Sequence, residues 1–160
     1  MSAVETPVMA RSSVVPADTG RFSSVAESKA RILSVSANRD DHLALNRMID
    51  HKFWELRTAR TCRSAVRRLD RNIAVIFSEC SLPDGTWKDI LNRIVQMDKP
   101  PQLIVTSRLA DAYICSEVIN LGGFDVLAKP LDEWEVRRTL AAASRFRTEP
   151  ARHVRAAATT

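Results

Sequence analysis

Short, nearly unbroken apolar runs alternate along this chain with longer stretches whose apolar residues recur every three or four positions. The first run, Arg31-Ile32-Leu33-Ser34-Val35-Ser36, is brief enough for a strand, and Asp40 and Asp41 after it mark a helix start. The helix carries Leu45, Met48 and Ile49 on one face. Phe53 to Ala59 alternates as a second strand, and Thr61 then caps a helix with Cys62, Ala65, Val66 and Leu69 at i, i+3, i+4 and i+7. Ile73-Ala74-Val75-Ile76-Phe77 is wholly apolar, as a central parallel strand covered on both faces requires.

Ser81-Leu82-Pro83-Asp84-Gly85 breaks the chain, and the same helical spacing returns in Trp87, Ile90, Leu91 and Ile94 until Pro100-Pro101. Leu103-Ile104-Val105 predicts a fourth strand and Ala110 to Leu121 a fourth helix, stopped by Gly122-Gly123. Asp125 to Ala128 predicts a fifth strand, and Lys129-Pro130 leads into a last helix with Val136, Leu140 and Ala143 on one side. Five β/α units imply an α/β fold, a doubly wound parallel five-stranded sheet of flavodoxin-like form with helices on both faces. Functional groups then collect at the edge where the strands end. Residues 1–28 lack either period and read as a disordered N-terminal arm, 29–147 as the domain, and 148–160 as a disordered tail.

Composition narrows the function classes. Of 160 residues, 45% are apolar and 27% charged, an ordinary globular mixture. No apolar run approaches the ~20 residues of a membrane span, and the start lacks the pattern of an export signal. Cys62, Cys80 and Cys115 are odd in number and widely spaced, which suits a cytoplasmic protein without a disulfide framework or zinc site. The net charge of +5 gathers at Arg57, Arg60, Arg63, Arg67, Arg68 and Arg71 and in the tail. Such a cluster can serve nucleic acid or an acidic partner. Without interleaved aromatics or a nucleic-acid motif, a solvated helix face is the simpler reading. His42, His51 and His153 lack metal spacing and are expected at the surface. Trp87 is expected in the core, Trp134 fits core or interface equally, and Cys80 is expected to be a buried, inert thiol.

The loops carry a resemblance. Glu79-Cys80-Ser81-Leu82-Pro83-Asp84-Gly85 resembles the phosphoacceptor loop of CheY-like response-regulator receiver domains, usually Asp-x-x-x-Pro-x-Gly. Val105-Thr106-Ser107 resembles that family's switch hydroxyl position, and Gly122 through Lys129-Pro130 its fifth-strand ending. The likeness runs over about residues 30–147 in the family's order. It implies that Glu79 stands at the phosphoacceptor position, with Thr106 and Lys129 at the phosphate-contacting positions. The family's pair of metal-holding acids at the end of the first strand is replaced by Ser36 and Ala37, and its aromatic switch residue by Val126. Moving Asp40 and Asp41 back to those positions would need a gap that displaces the first helix's apolar face, so both are assigned to the helix start.

With so few carboxylates the pocket is expected to hold a lone anion, Glu79, facing Lys129 and Thr106, and to bind Mg²⁺ weakly or not at all. No cofactor is expected. The resemblance implies a non-enzymatic, stand-alone response-regulator-like protein in phosphorelay or two-component signalling, acting by protein contact. Its partners would be a histidine kinase or a downstream regulator. The fourth helix, fifth strand and fifth helix, about Ala110 to Phe146, offer a homodimer face. No output domain is expected after Arg147, and neither membrane nor nucleic-acid binding. Phosphoryl transfer onto Glu79 is the alternative. An enzyme on a flavodoxin-like scaffold is the third reading, weakened by the lack of a Gly-rich phosphate loop after the first strand.

Overall fold

The computed structural model describes residues 29–148. The expected N-terminal arm and nearly all of the tail, with His153, lie outside the described residues. Thr148, assigned to the tail from the sequence, is the last residue of the final helix.

Five strands form one parallel sheet: β1 (Ala30–Val35), β2 (Trp54–Ala59), β3 (Ile73–Glu79), β6 (Gln102–Ser107) and β7 (Asp125–Ala128). Their order is β2-β1-β3-β6-β7, with every pairing parallel. A two-stranded antiparallel hairpin, β4 (Ser81–Leu82) and β5 (Gly85–Thr86), stands outside the sheet. It occupies the segment expected to be a plain break. The fourth and fifth strands read from the sequence are therefore β6 and β7. The helices are α1 (Arg39–Met48), α2 (Cys62–Arg67), α3 (Trp87–Ile94), α4 (Ala112–Leu121) and α5 (Glu133–Thr148).

The sheet separates two cores. On one side Leu33, Val35, Ile76, Leu103 and Val105 meet Ala65, Trp87, Ile90, Leu91, Ile94 and Val118 from α2, α3 and α4. On the other, Ile32, Val75, Phe77 and Ile104 meet Leu45 and Ile49 from α1 and its end, and Val136, Leu140 and Ala143 from α5. β3 lies in the middle and is buried from Ile73 through Ser78, which explains its lack of a polar face. Trp87 is 1% exposed and Trp134 67%, so the first is core and the second surface.

The helix starts have local causes. Thr61 and Thr86 each close a reciprocal capping box, with Ser64 and Asp89 at the third helical position. Asn38 caps α1 by accepting from the Asp40 amide at 3.0 Å, so the cap lies ahead of the acids expected to start the helix. Asp111 caps α4, which begins two residues later than its apolar pattern suggested. Gly122 ends α4 at φ 106°, a left-handed conformation that glycine adopts without a side-chain clash.

Histidine 42 corrects the surface expectation. It lies three residues before Leu45 and seven before Ile49, on the inward stripe of α1, and is 9% exposed. His51 is exposed as expected.

Candidate functional site

The sheet order brings the C-terminal ends of β1, β3, β6 and β7 to one edge. β3 ends at Glu79, paired in register with Thr106 of β6, and Lys129 follows β7 directly. Ser36 follows β1 and is 3% exposed.

The pocket corrects the expectation of a lone anion, because Asp41 enters it. Lys129 Nζ donates to Asp41 Oδ2 at 2.5 Å and to Glu79 Oε1 at 2.9 Å. The lysine side chain is only 8% exposed, against 23% for Asp41 and 27% for Glu79. Ser36 Oγ lies 2.5 Å from Asp41 Oδ2 and 3.1 Å from Glu79 Oε2, and accepts from the Asn38 amide at 3.0 Å. A hydroxyl has one proton, so Ser36 serves chiefly the shorter contact to Asp41. One cation and one hydroxyl thus join two carboxylates from α1 and β3.

Asp41 reaches the pocket without belonging to the strand end. It is the third residue of α1, and side chains there turn back toward the helix start, which lies over the exit edge of β1. Asn38-x-x-Asp41 has the spacing of a capping pair, and that spacing was the available signal. Asp40 stays exposed. Burial works to raise the Asp41 carboxyl, but the hydrogen bonds from Lys129 and Ser36 outweigh it and hold the group below the usual carboxylate range.

Beneath the pocket, His42 fixes Ser36. Its Nε2 lies 3.0 Å from the Ser36 carbonyl, which can only accept, so Nε2 carries the proton. Nδ1 then accepts from Ser34 Oγ at 2.7 Å. Burial pushes the imidazole below its ordinary pKa, against the pull of the Ser36 carbonyl and Asp41, and favours this neutral tautomer. Arg60 Nη2 donates to the Ala37 carbonyl at 3.0 Å and holds the turn from outside.

Thr106 departs from the expected convergence. It is 4% exposed, and its hydroxyl donates to the Ser78 carbonyl at 3.4 Å instead of reaching Glu79 or Lys129. Val126 is half-buried against the α3 and α4 side of the core. Cys80 is half-buried with its thiol raised by burial, in keeping with an inert role. The buried Cys62 thiol is pushed up to about 11, first by burial and then by Asp84. The pocket mouth is a cavity of about 390 Å³ lined by Asp41, Arg108, Lys129 and Pro130.

A magnesium site of the receiver kind fits these residues poorly. Both carboxylates are already bound to the Lys129 ammonium, and Ser36 and Ala37 stand where two acids would be needed. Among the described residues, no group of three or more His, Cys, Asp or Glu is placed to hold a metal ion. No described helix is long and apolar enough to cross a membrane.

No family model matches the chain. The transcriptional regulatory protein DpiA of Escherichia coli K12 is 33% identical over 73 residues, 46% of this chain. DpiA of Shigella flexneri matches to the same extent. The matched stretch spans 31% of DpiA's own length. Among solved structures, a two-component response regulator from Clostridium difficile superposes with a TM-score of 0.67 at 20% identity, covering 76% of this chain and 100% of that one. The chemotaxis response regulator CheY4 of Vibrio cholerae gives 0.64 at 18% identity, covering 72% and 99%. The non-phosphorylated HemR receiver domain of Leptospira biflexa gives 0.65 at 21%, covering 78% and 99%. With the sheet order and the five βα units, these likenesses show that the chain has the fold of a CheY-like response-regulator receiver domain.

Proposed function

We propose that this chain is a receiver-like signalling module of the phosphorelay, two-component kind, cytoplasmic and non-catalytic, whose domain spans residues 29–147. It acts by protein–protein contact, without magnesium-dependent aspartyl phosphorylation. One observation carries the reading: the Lys129 ammonium, 8% exposed, is bonded to Asp41 and Glu79 together. The cation that would meet an incoming phosphoryl group is already shared between two carboxylates, and the trio keeps a net charge of −1. Phosphoryl transfer depends on positioned positive charge beside a free anionic nucleophile, and the Glu79 carboxylate is already engaged by Lys129.

Glu79 therefore stands at the acceptor position as a fixed anion. Thr106 and Val126 support the same reading, the first because its hydroxyl faces the Ser78 carbonyl and not Glu79, the second because it has no aromatic ring to swing. The contact surface is the α4-β7-α5 face, where Tyr113, Leu121 and Phe146 are exposed large apolar groups. A histidine kinase, a downstream regulator or a second copy of the chain would dock there.

Isothermal titration with Mg²⁺, alone and with beryllofluoride, tests the reading. The expected outcome is no saturable binding at sub-millimolar Mg²⁺ and no beryllofluoride adduct. Tight Mg²⁺ binding with an adduct on Glu79 would establish phosphoryl transfer onto Glu79 instead.

A further inference from the structure

Among the described residues β2 is an edge strand, hydrogen-bonded to β1 alone. Half of its backbone N–H and C=O groups therefore face outward, a ready template for another extended chain. Along this edge and onto α2 lie Arg57, Arg60, Arg63, Arg67, Arg68 and Arg71, all exposed, with Asp70 the only acid in the same stretch. The fold draws part of this set together in a cleft of about 240 Å³ lined by Arg31, Arg57, Arg67, Arg68, Leu69 and Asp70.

The charges inside the cleft are unequal. Arg31 donates to Glu55 and to Asp70, both at 3.0 Å, and Arg57 pairs with Glu55 at 2.7 Å. The two carboxylates are thus already held, while Arg67 and Arg68 have no acid within ion-pair reach among the described residues. Charged side chains commonly guard an edge strand against aggregation. A guard does not require a concave site in which two uncommitted guanidinium groups stand beside a bare backbone ladder. Guanidinium, with its planar fork of donors, is the cation suited to gripping carboxylates bidentately.

We propose that the β2 edge and the arginine cleft beside it form a docking groove for an extended, Asp/Glu-rich segment of a partner protein, added as a sixth strand. The segment's backbone completes the outer ladder of β2, and its carboxylates enter the cleft at Arg67 and Arg68. Nucleic acid fits less well. Glu55 and Asp70 would face the phosphates, and the cleft has no aromatic ring on which a base could stack. The groove lies away from the Lys129 pocket and does not depend on its chemistry.

Fluorescence anisotropy with a labelled peptide of alternating Glu and Thr tests this, with labelled duplex DNA and single-stranded RNA as competing probes. The peptide should bind at low salt. Arg67→Glu/Arg68→Glu should weaken it by at least about tenfold, which corresponds to 1.4 kcal/mol. The milder Arg67→Gln/Arg68→Gln should act in the same direction with an unchanged circular dichroism spectrum. Amide resonances of residues 54–59 should shift on peptide addition. Equal affinity in wild type and both variants, shifts that spare β2, or tighter binding of either nucleic acid would each overturn the proposal.

Discussion

Lys129 is the residue on which the pocket turns. Its ammonium is nearly out of water and serves two carboxylates that each keep about a quarter of their side-chain surface exposed. Lys129→Met would strand both anions beside each other. Leaving a buried charge uncompensated costs about 3–5 kcal/mol, and the partial exposure of the acids points to about 3. Urea denaturation should read this loss, whereas Asp41→Asn, which leaves Lys129 paired with Glu79, should cost about 1 kcal/mol. An equal cost for the two variants would mean that the lysine stabilises the fold through Asp41 alone. At this scale the sequence was only partly legible. Glu79 and Lys129 were found from loop spacing. Asp41 was not legible as a pocket residue because a place in the pocket was equated with a place at the strand end, which would have needed a gap displacing the α1 apolar face. A side chain on the first turn of α1 points back over that end. His42 was missed for a related reason: a histidine without metal spacing was weighed as surface, although its spacing to Leu45 and Ile49 put it on the buried face.

Among the elements, the β4-β5 hairpin governs how the loop after Glu79 sits. The Cys62 and Arg63 amides donate to the two Asp84 oxygens at 2.7 and 3.0 Å, tying the hairpin turn to the start of α2. Asp89 reaches back from α3 to the Thr86 amide at 2.8 Å. Gly85 lies between these ties. A Cβ there would collide with the Asp89 carboxylate and approach Cys62 Sγ to 3.2 Å. Gly85→Ala should therefore open the α3 capping box and cost about 1–2 kcal/mol, the worth of a lost cap. A thermal melt measures it, and an unchanged melting temperature would show that Asp89 can swing aside freely. The glycine was visible in the sequence as part of a loop motif, but the hairpin was not. Two-residue strands leave no alternation to detect. The long elements were legible because each buries a full stripe or run: Val136, Leu140 and Ala143 of α5 are 0%, 3% and 0% exposed.

For the molecule as a whole, acid should act in two stages. The His42 imidazole is held below its ordinary value, so between its folded pKa and about 6.5 the unfolded chain binds a proton that the folded chain does not. Stability therefore falls as pH drops through that window, by at most about 1.4 kcal/mol per pH unit. Asp41 is also depressed, and its contribution, present above the ordinary carboxylate value of about 3.9, is lost as pH falls through its folded value. Denaturant midpoints measured from pH 7.5 to 3 should show both stages, with the upper one absent in His42→Gln. A flat profile down to pH 5 in the wild type would contradict the buried neutral tautomer. Chain order and sheet architecture were legible at this scale, since right-handed βαβ crossovers leave few ways to wind five units. The distribution of charge over the surface was not, because a list of arginines does not reveal which acids already answer them.

The bond from Lys129 to Asp41 joins residues 88 positions apart. During synthesis, Asp41 and Glu79 leave the ribosome well before their shared counter-ion exists. A nascent chain arrested anywhere short of Lys129 carries both carboxylates without the cation they share, and only translation past β7 supplies it. This edge can therefore close only in chains that have been translated almost to the last helix.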